Sequence, residues 1–478
     1  MDQTTAMVKA FTQVVPRCTP WIAVCAFLIL LGACGNPSAS NPPGRTTRTP
    51  SPAGMHTPPP VTAADWTMYH RDSARRGYVA DASDPRQLTQ AWHAALEGGV
   101  YAEPLVVNGH VIVATEADTL YSLDAHTGQV QWHTHVGSPV ALSQLPCGNI
   151  DPLGITGTPV YDPASGLVFA VAEVSGPAHV LVGIDAVTGQ VRVRRSADPA
   201  GMYQARVQQQ RAALALSQGM VYIAYGGLAG DCGFYSGWVV ASRTDGQGPL
   251  LSYEVPTLRG GMWAASGPAV DDKGRIFVSV GNGQSTRGEW DHSDSVLRLS
   301  PVLQLEDGFA PDQWAADNAN DADLGSMGPV LLPGGLVYAD GKSGMGYLLH
   351  ADALGGVGGQ ALVMKSTVCH AYGGAATVGS TIYLPCTEGV QQLIVGPGIR
   401  LTPGWHAPVT VAGSPIVGGH TVYSLSMNDG MLYALNSDTG AVRARVSVGE
   451  VTRFATPTLS QGVVYVGTVD GVVAVKIL

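Results

Sequence analysis

One phrase occurs twice in this chain, about three hundred residues apart. The first copy reads Leu120-Tyr121-Ser122-Leu123-Asp124-Ala125-His126-Thr127-Gly128 and the second Leu432-Tyr433-Ala434-Leu435-Asn436-Ser437-Asp438-Thr439-Gly440. A degraded copy runs from Val182 to Gly189. Each is a strand of alternating apolar residues, then Asp or Asn, then a Thr-Gly turn. A strand-turn phrase that recurs along a chain marks a repeat architecture. The whole unit is longer: from Pro104 three short alternating strands follow one another, broken by turn residues, and a fourth containing Trp132 comes after the Thr-Gly turn. Period-two alternation with Asn-Gly and Thr-Gly breaks is the signal of antiparallel hairpins. One such meander leaves an apolar face uncovered, so copies must stack.

Equivalent openings stand at Pro104, Pro159, Ala213, Pro268, Pro329, Ala375, Pro415 and Pro457. Their spacing of roughly 40–60 residues suits four-stranded propeller blades with loop insertions. The openings at Ala213 and Ala375 are the least regular, so seven blades is the alternative count. After Pro457 only three strands can be read. A fourth is available at 88–96, with Trp92, near the start of the globular part. An N-terminal strand completing the last blade would remove both sheet edges. The expected fold is all-β: a single propeller over residues 63–478, most simply of eight four-stranded blades closed by an N-terminal strand.

Residues 1–34 read as a targeting segment. Lys9 and Arg17 precede an apolar run from Trp21 to Leu31, too short to span a membrane as a helix, which exits through Leu31-Gly32-Ala33-Cys34. That ending resembles the bacterial lipobox, which implies a lipidated Cys34 as the mature N-terminus. Residues 35–62 are rich in Pro, Ser and Thr and read as a disordered tether. Together they imply an extracytoplasmic protein, lipid-anchored to a bacterial membrane and monomeric.

The formal charge is −10 with only 13% charged residues, which argues against a nucleic-acid binder. Once Cys18, Cys25 and Cys34 are set aside, four cysteines remain: Cys147, Cys232, Cys369 and Cys386. An even number in an exported chain suggests two disulfides. Cys369 and Cys386 flank neighbouring strands of one blade, which leaves Cys147 with Cys232. Zinc, with His370 as a further ligand, is the rival, but no metal-ligand spacing supports it. Gln208-Gln209-Gln210-Arg211 reads as an exposed loop, and His133 and His135 as the exposed face of a strand.

The Leu-Tyr-Ala-Leu-(Asp/Asn)-x-x-Thr-Gly repeat, with Asp65-Trp66-Thr67-Met68-Tyr69-His70 ahead of it, resembles the PQQ-binding-like β-propellers. The resemblance runs from Trp66 to Leu478. That superfamily holds quinoprotein alcohol dehydrogenases, which bind pyrroloquinoline quinone and calcium. It also holds cofactor-free members such as the propeller lipoprotein of the outer-membrane protein assembly machinery, so the fold does not choose the function.

The dehydrogenase resemblance can be followed residue by residue. Trp263, in Gly260-Gly261-Met262-Trp263, matches the aromatic floor under the quinone. Asn282, in Gly281-Asn282-Gly283, and Asp231, beside Cys232, match the calcium ligands. Lys342, in Gly341-Lys342-Ser343-Gly344, matches the cation that polarises the quinone. For the base the segment Trp290-Asp291-His292-Ser293-Asp294-Ser295 offers Asp291 or Asp294, of which Asp291 is taken. Each residue also has a plain role: Trp263 as a packing aromatic, and Asn282, Asp231 and Lys342 as turn residues. The loop 317–325, dense in Asp and Asn, could bind calcium but lacks the closing Glu of an EF-hand.

Two departures weigh against catalysis. Those dehydrogenases carry a ring of two adjacent cysteines above the quinone, and this chain has no Cys-Cys. Their blades dock through regular tryptophans, whereas Val193 and Arg445 stand here near docking positions. No haem-attachment motif is present. The expectation is therefore a binding or scaffold module for a protein, glycan or small ligand, with no cofactor assigned. The alternative is an alcohol or sugar dehydrogenase dependent on pyrroloquinoline quinone and calcium.

Overall fold

The computed structural model describes residues 58, 60–202, 204–364 and 368–478. The targeting segment with Cys34, and nearly all of the tether, lie outside them. The described chain forms eight sheets in a closed ring, each built on an antiparallel four-stranded meander, and two of them add a short parallel strand. Blade 1 spans 105–135, blade 2 160–196, blade 3 215–254, blade 4 269–310, blade 5 330–364, blade 6 376–407 and blade 7 416–447. Blade 8 takes three strands from 458–477 and its outer strand from Leu88–Ala95, paired antiparallel to Gly471–Ile477. Both irregular openings lead into true blades, so the count is eight and not seven.

Period-two alternation builds the ring. In blade 2, Val168 and Val182 face Leu105, Ile112 and Leu120 of blade 1, while Phe169 and Leu181 face Val221, Tyr225 and Val240 of blade 3. The inner strands thus serve two apolar interfaces, which is why no blade is stable alone. Blades 7, 8 and 1 share one cluster, with Ile416, Val464 and Val111 among its members, and this closes the circle.

The repeated phrase has a local job. Asp124 Oδ1 accepts hydrogen bonds from the backbone and hydroxyl of Thr127, and Asn436 Oδ1 accepts from the Thr439 amide. Gly128, Gly189 and Gly440 then sit at φ near 70°. A side chain at these glycines would collide with a tryptophan: a Cβ at Gly128 would lie 2.7 Å from Trp92, at Gly189 2.8 Å from Trp132, and at Gly440 2.5 Å from Trp405. Each tryptophan sits on the outer strand of the preceding blade and donates its indole N–H to a carbonyl of the turn, at 3.1, 3.1 and 2.8 Å respectively. Where blade 2 carries Val193 instead, the valine takes the corresponding place against Gly246 of blade 3. In blade 7 the corresponding position, opposite Ala434, is Ala444, one residue before Arg445.

The segment before blade 1 crosses one end of the ring. Thr67 and Ser73 carbonyls accept from Tyr161 and Val270, those of Arg76 and Gly77 accept from Thr377 and Val417, and Trp66 pairs with Val106. Arg75, 1% exposed, donates to the carbonyls of Pro268 (3.0 Å), Tyr69 (3.1 Å) and Leu214 (3.0 Å). This end carries the turns between first and second strands, since Asn108 in such a turn donates to Asp65 at 2.8 Å. It leaves the other end, with its long connections, as the open one.

Candidate functional site

The open end holds a cavity of about 820 Å³ on the ring axis. Its walls come from turns between second and third strands and from the connections that lead into the next blade. Asp231, Trp263, Asn282 and Lys342, drawn from residues more than a hundred positions apart, all line it. Asp291, farther along the connection that carries Asn282, does not line it. Asp291 folds back on its own turn, accepting from the Ser293 amide at 3.2 Å and from the Ser293 hydroxyl. Asp294 is fully buried, accepts from the Leu324 amide at 2.6 Å, and is held well above the usual carboxylate range by burial and then by Asp323 and Asp317. Neither carboxylate is placed to act as a base in the cavity.

Besides Asp231, the carboxylates that meet the cavity come from the acidic loop. After the helix Trp314–Asn320, Asp321 turns the chain at φ 55° and Asp323 caps the short 3-10 helix Leu324–Ser326 by accepting from the Gly325 amide. Lys342 Nζ lies 2.7 Å from Asp321 Oδ1 and 3.3 Å from Asp323 Oδ2. Trp263 donates its indole N–H to Asp323 Oδ2 at 2.9 Å, and Asn282 donates to Asp321 Oδ1 at 2.7 Å. Burial pulls the lysine pKa down, but Asp323 and Asp321 outweigh it and hold it above the ordinary value. The ammonium also lies over the Trp263 ring, 5.4 Å from its centroid. Gly281 makes this convergence feasible, because a Cβ there would stand 2.5 Å from Asp323 Oδ1.

The remaining walls are aromatic and basic. Tyr372 and Phe454 stack at 5.9 Å and 14°, and both lie just over 6 Å from Trp263. Arg211 sits over Phe454 at 5.6 Å, and Arg259 and Arg453 also line the cavity. Arg211 corrects the sequence reading: the segment before it is no exposed loop. Gln208, Gln209 and Gln210 are each no more than 3% exposed, because Gln208–Gln209 pairs with the end of the blade 3 strand Met220–Gly227. His133 and His135 are exposed as expected.

Both disulfides form, Cys147–Cys232 across 85 residues and Cys369–Cys386 across 17. This leaves no free thiolate among those four for zinc. Each brace stands at the cavity: Asn149 and Asp231 lie beside the first, and Cys386 lines the wall. Cys369 is on the connection into blade 6, whose Ala371 bridges to Cys386.

The donor set does not fit a calcium–quinone pair. Calcium takes six to eight oxygens. The Asn282 Oδ1 is buried and without a hydrogen-bond partner, but the carboxylates near it are ion-paired to Lys342. Asp231 stands on another loop, accepting from the Tyr235 hydroxyl. Among the described residues no three His, Cys, Asp or Glu side chains gather as a metal site.

Comparison with known proteins agrees on the architecture. A family model described as outer membrane protein assembly factor BamB matches residues 46–229. No curated protein sequence matches the chain. Among solved structures, the quinohemoprotein alcohol dehydrogenase ADHIIG from Pseudomonas putida HK5 is similar with TM-score 0.66 at 14% identity, over 87% of this chain and 80% of that one. A europium-containing methanol dehydrogenase gives 0.67 at 15%, over 87% and 98%. BamB from Moraxella catarrhalis gives 0.57 at 16%, over 82% and 100%. The chain is a β-propeller of the kind these proteins share. At such identities the likeness is one of fold, and it joins alcohol dehydrogenases and an assembly factor alike.

Proposed function

We propose that this propeller is an extracytoplasmic binding module whose axial cavity takes a small ligand without turning it over. One observation carries the reading: the charged groups at the heart of the cavity satisfy each other. A lysine that polarises a reacting carbonyl needs its charge available, and a base needs a free carboxylate. Lys342, Asp321 and Asp323 instead form a closed ion-paired cluster, with Trp263 and Asn282 bonded to it. Such a cluster makes a rigid wall. Lipidation of Cys34 would hold the module at a membrane surface, with residues 35–62 as its tether, and two disulfides suit an oxidising compartment.

The reading is tested by titrating the mature protein with pyrroloquinoline quinone, with and without calcium, and assaying alcohol oxidation with an artificial acceptor. No calcium-dependent rise in melting temperature and no turnover are expected. Oxidation of an alcohol or sugar that is lost in both Lys342→Ala and Asp231→Ala would establish the quinoprotein alternative.

A further inference from the structure

We propose that Cys147–Cys232 is a thiol–disulfide exchange site at the mouth of the axial cavity, whatever that cavity binds. Its co-substrate is a dithiol, of the kind an extracytoplasmic oxidoreductase presents, and opening the bond frees two loops of the rim.

Cys147 lies on the connection from blade 1 to blade 2, and Cys232 lies between the second and third strands of blade 3. Both loops line the cavity, the first through Asn149 and the second through Leu228 to Asp231. Among the described residues no hydrogen bond joins 141–153 to 228–236. The disulfide, closing 85 residues, is what ties them. Beyond it they share a small apolar cluster, with Leu145, Ile150 and Leu153 against Leu228. Each loop is also fastened at its own base. Val140 and Leu153 exchange both backbone hydrogen bonds at 2.8 Å. The Leu228 amide donates to Val207 at 3.2 Å, and the Arg259 amide donates to Tyr235 at 2.6 Å. Opening the disulfide therefore releases the loop tips and leaves the blades joined through their own interfaces.

Exchange needs a sulfur that can be reached and a thiolate that can leave. Cys147 and Cys232 are both half-buried on loops, so either sulfur can take the attack while the other leaves towards water. Cys369–Cys386 lacks the second property. Cys386 is 1% exposed, ends the strand Thr381–Cys386 and packs among Met327, Ile382 and Leu384, where a thiolate is disfavoured. Backbone bonds from Tyr372 to Pro385 and from Thr387 to His370, both 3.2 Å, hold its two segments together in any case. One disulfide thus belongs to the fold and the other to the rim. In the exchange, one thiolate of the dithiol attacks a protein sulfur, the protein S–S bond breaks as a mixed disulfide forms, and the other cysteine leaves as a thiolate and takes up a proton. The second thiolate of the dithiol then displaces the attacked cysteine, which is protonated in turn. The protein gains two electrons and two protons, and the dithiol ends as a disulfide.

The test exposes the oxidised protein to increasing dithiothreitol at constant pH, traps free thiols with N-ethylmaleimide and locates them by peptide mass spectrometry. Cys147 and Cys232 should be labelled at a dithiothreitol concentration about ten-fold below that needed for Cys369 and Cys386. The protein should still melt cooperatively at that point. Hydrogen exchange should quicken at least about ten-fold in 141–150 and 228–235, with the blade strands unchanged. The double variant Cys147→Ser, Cys232→Ser should show the same fast loops without reductant. Labelling of Cys369 and Cys386 first, or of all four only as the protein unfolds, would overturn the proposal. So would selective opening with loop exchange unchanged. No ligand enters the test, so its failure leaves the reading of the cavity as it stood.

Discussion

Asp323 and Arg75 each hold together parts of the chain that are remote in sequence. Asp323 is 4% exposed and takes its compensation from the Lys342 ammonium, the Trp263 indole and the Gly325 amide. Lys342→Met removes the ammonium and leaves a buried carboxylate, which should cost about 3 kcal/mol. The variant, unlike the parent, should then regain melting temperature on addition of calcium, because Asp321, Asp323 and the unpartnered Asn282 Oδ1 would be open to a cation. Calorimetry with and without the ion decides this, and a calcium response in the parent would show that the lysine does not fill the position. For Arg75 the reasoning is simpler. Arg75→Met strands three buried carbonyls, so the urea midpoint should fall by the equivalent of about 3 kcal/mol. A loss below about 1 kcal/mol would show that the guanidinium does not hold the N-terminal segment in place.

At the level of elements, the blade-to-blade dock is the recurring unit. An indole seated on a Thr-Gly turn combines apolar contact with one hydrogen bond to the next blade. Trp132→Ala should therefore destabilise by about 3 kcal/mol. Val193→Ala, at the corresponding place in blade 2, should cost only about 1 kcal/mol, since it loses no hydrogen bond. Paired denaturation curves would show the difference, and equal losses would mean the dock works through size alone. The disulfides act on loops instead. Cys147→Ser with Cys232→Ser releases an 85-residue loop, for which the chain-entropy model gives about 4.6 kcal/mol. The same change should weaken cavity binding through Asp231.

Two features belong to the whole molecule. The first is closure. Truncation to residue 97 removes both the segment across the ring and the outer strand of blade 8, leaving Gly471–Ile477 as an open edge. Size-exclusion chromatography should then show aggregation, and a monodisperse product would argue that closure is dispensable. The second is the response to pH. Burial lifts Asp317 to about 6, Glu116 and Asp340 to about 7 and Asp118 to about 8. Each keeps a proton in the folded state that the unfolded chain releases above about pH 4, so its contribution to stability is lost as pH rises through those values. His70 works in the other direction: burial lowers it to about 3, so its contribution is present above about pH 6.5 and lost as pH falls. Burial also raises Glu103, Glu173, Asp294 and Asp323, and His179 is raised while His292 is lowered, so the raised groups predominate and the urea midpoint should fall between about pH 5 and about pH 8. A rising midpoint over that range would contradict the burial of these carboxyls.

The order of strands, the eight units and their closure were legible in the sequence because they rest on local patterns. Alternation declares which face of a strand is apolar, an Asp-x-x-Thr-Gly turn declares its own backbone, and a blade with a missing strand declares its need. Trp263, Asn282, Asp231 and Lys342 were legible as turns and aromatics at the ends of strands, and closing the ring brings all four to one cavity. Their partners were not legible. Nothing local in Gln208-Gln209-Gln210-Arg211 announces that it pairs with the end of a blade 3 strand and turns a guanidinium inward. Nor does the loop 317–325 show on its own that Lys342 will neutralise Asp321 and Asp323 while Asp291 bonds only within its turn. Charge compensation depends on distances between residues far apart in the chain. A repeat pattern determines the ring, but only the ring's tertiary closure decides which charges meet and which are left for a ligand.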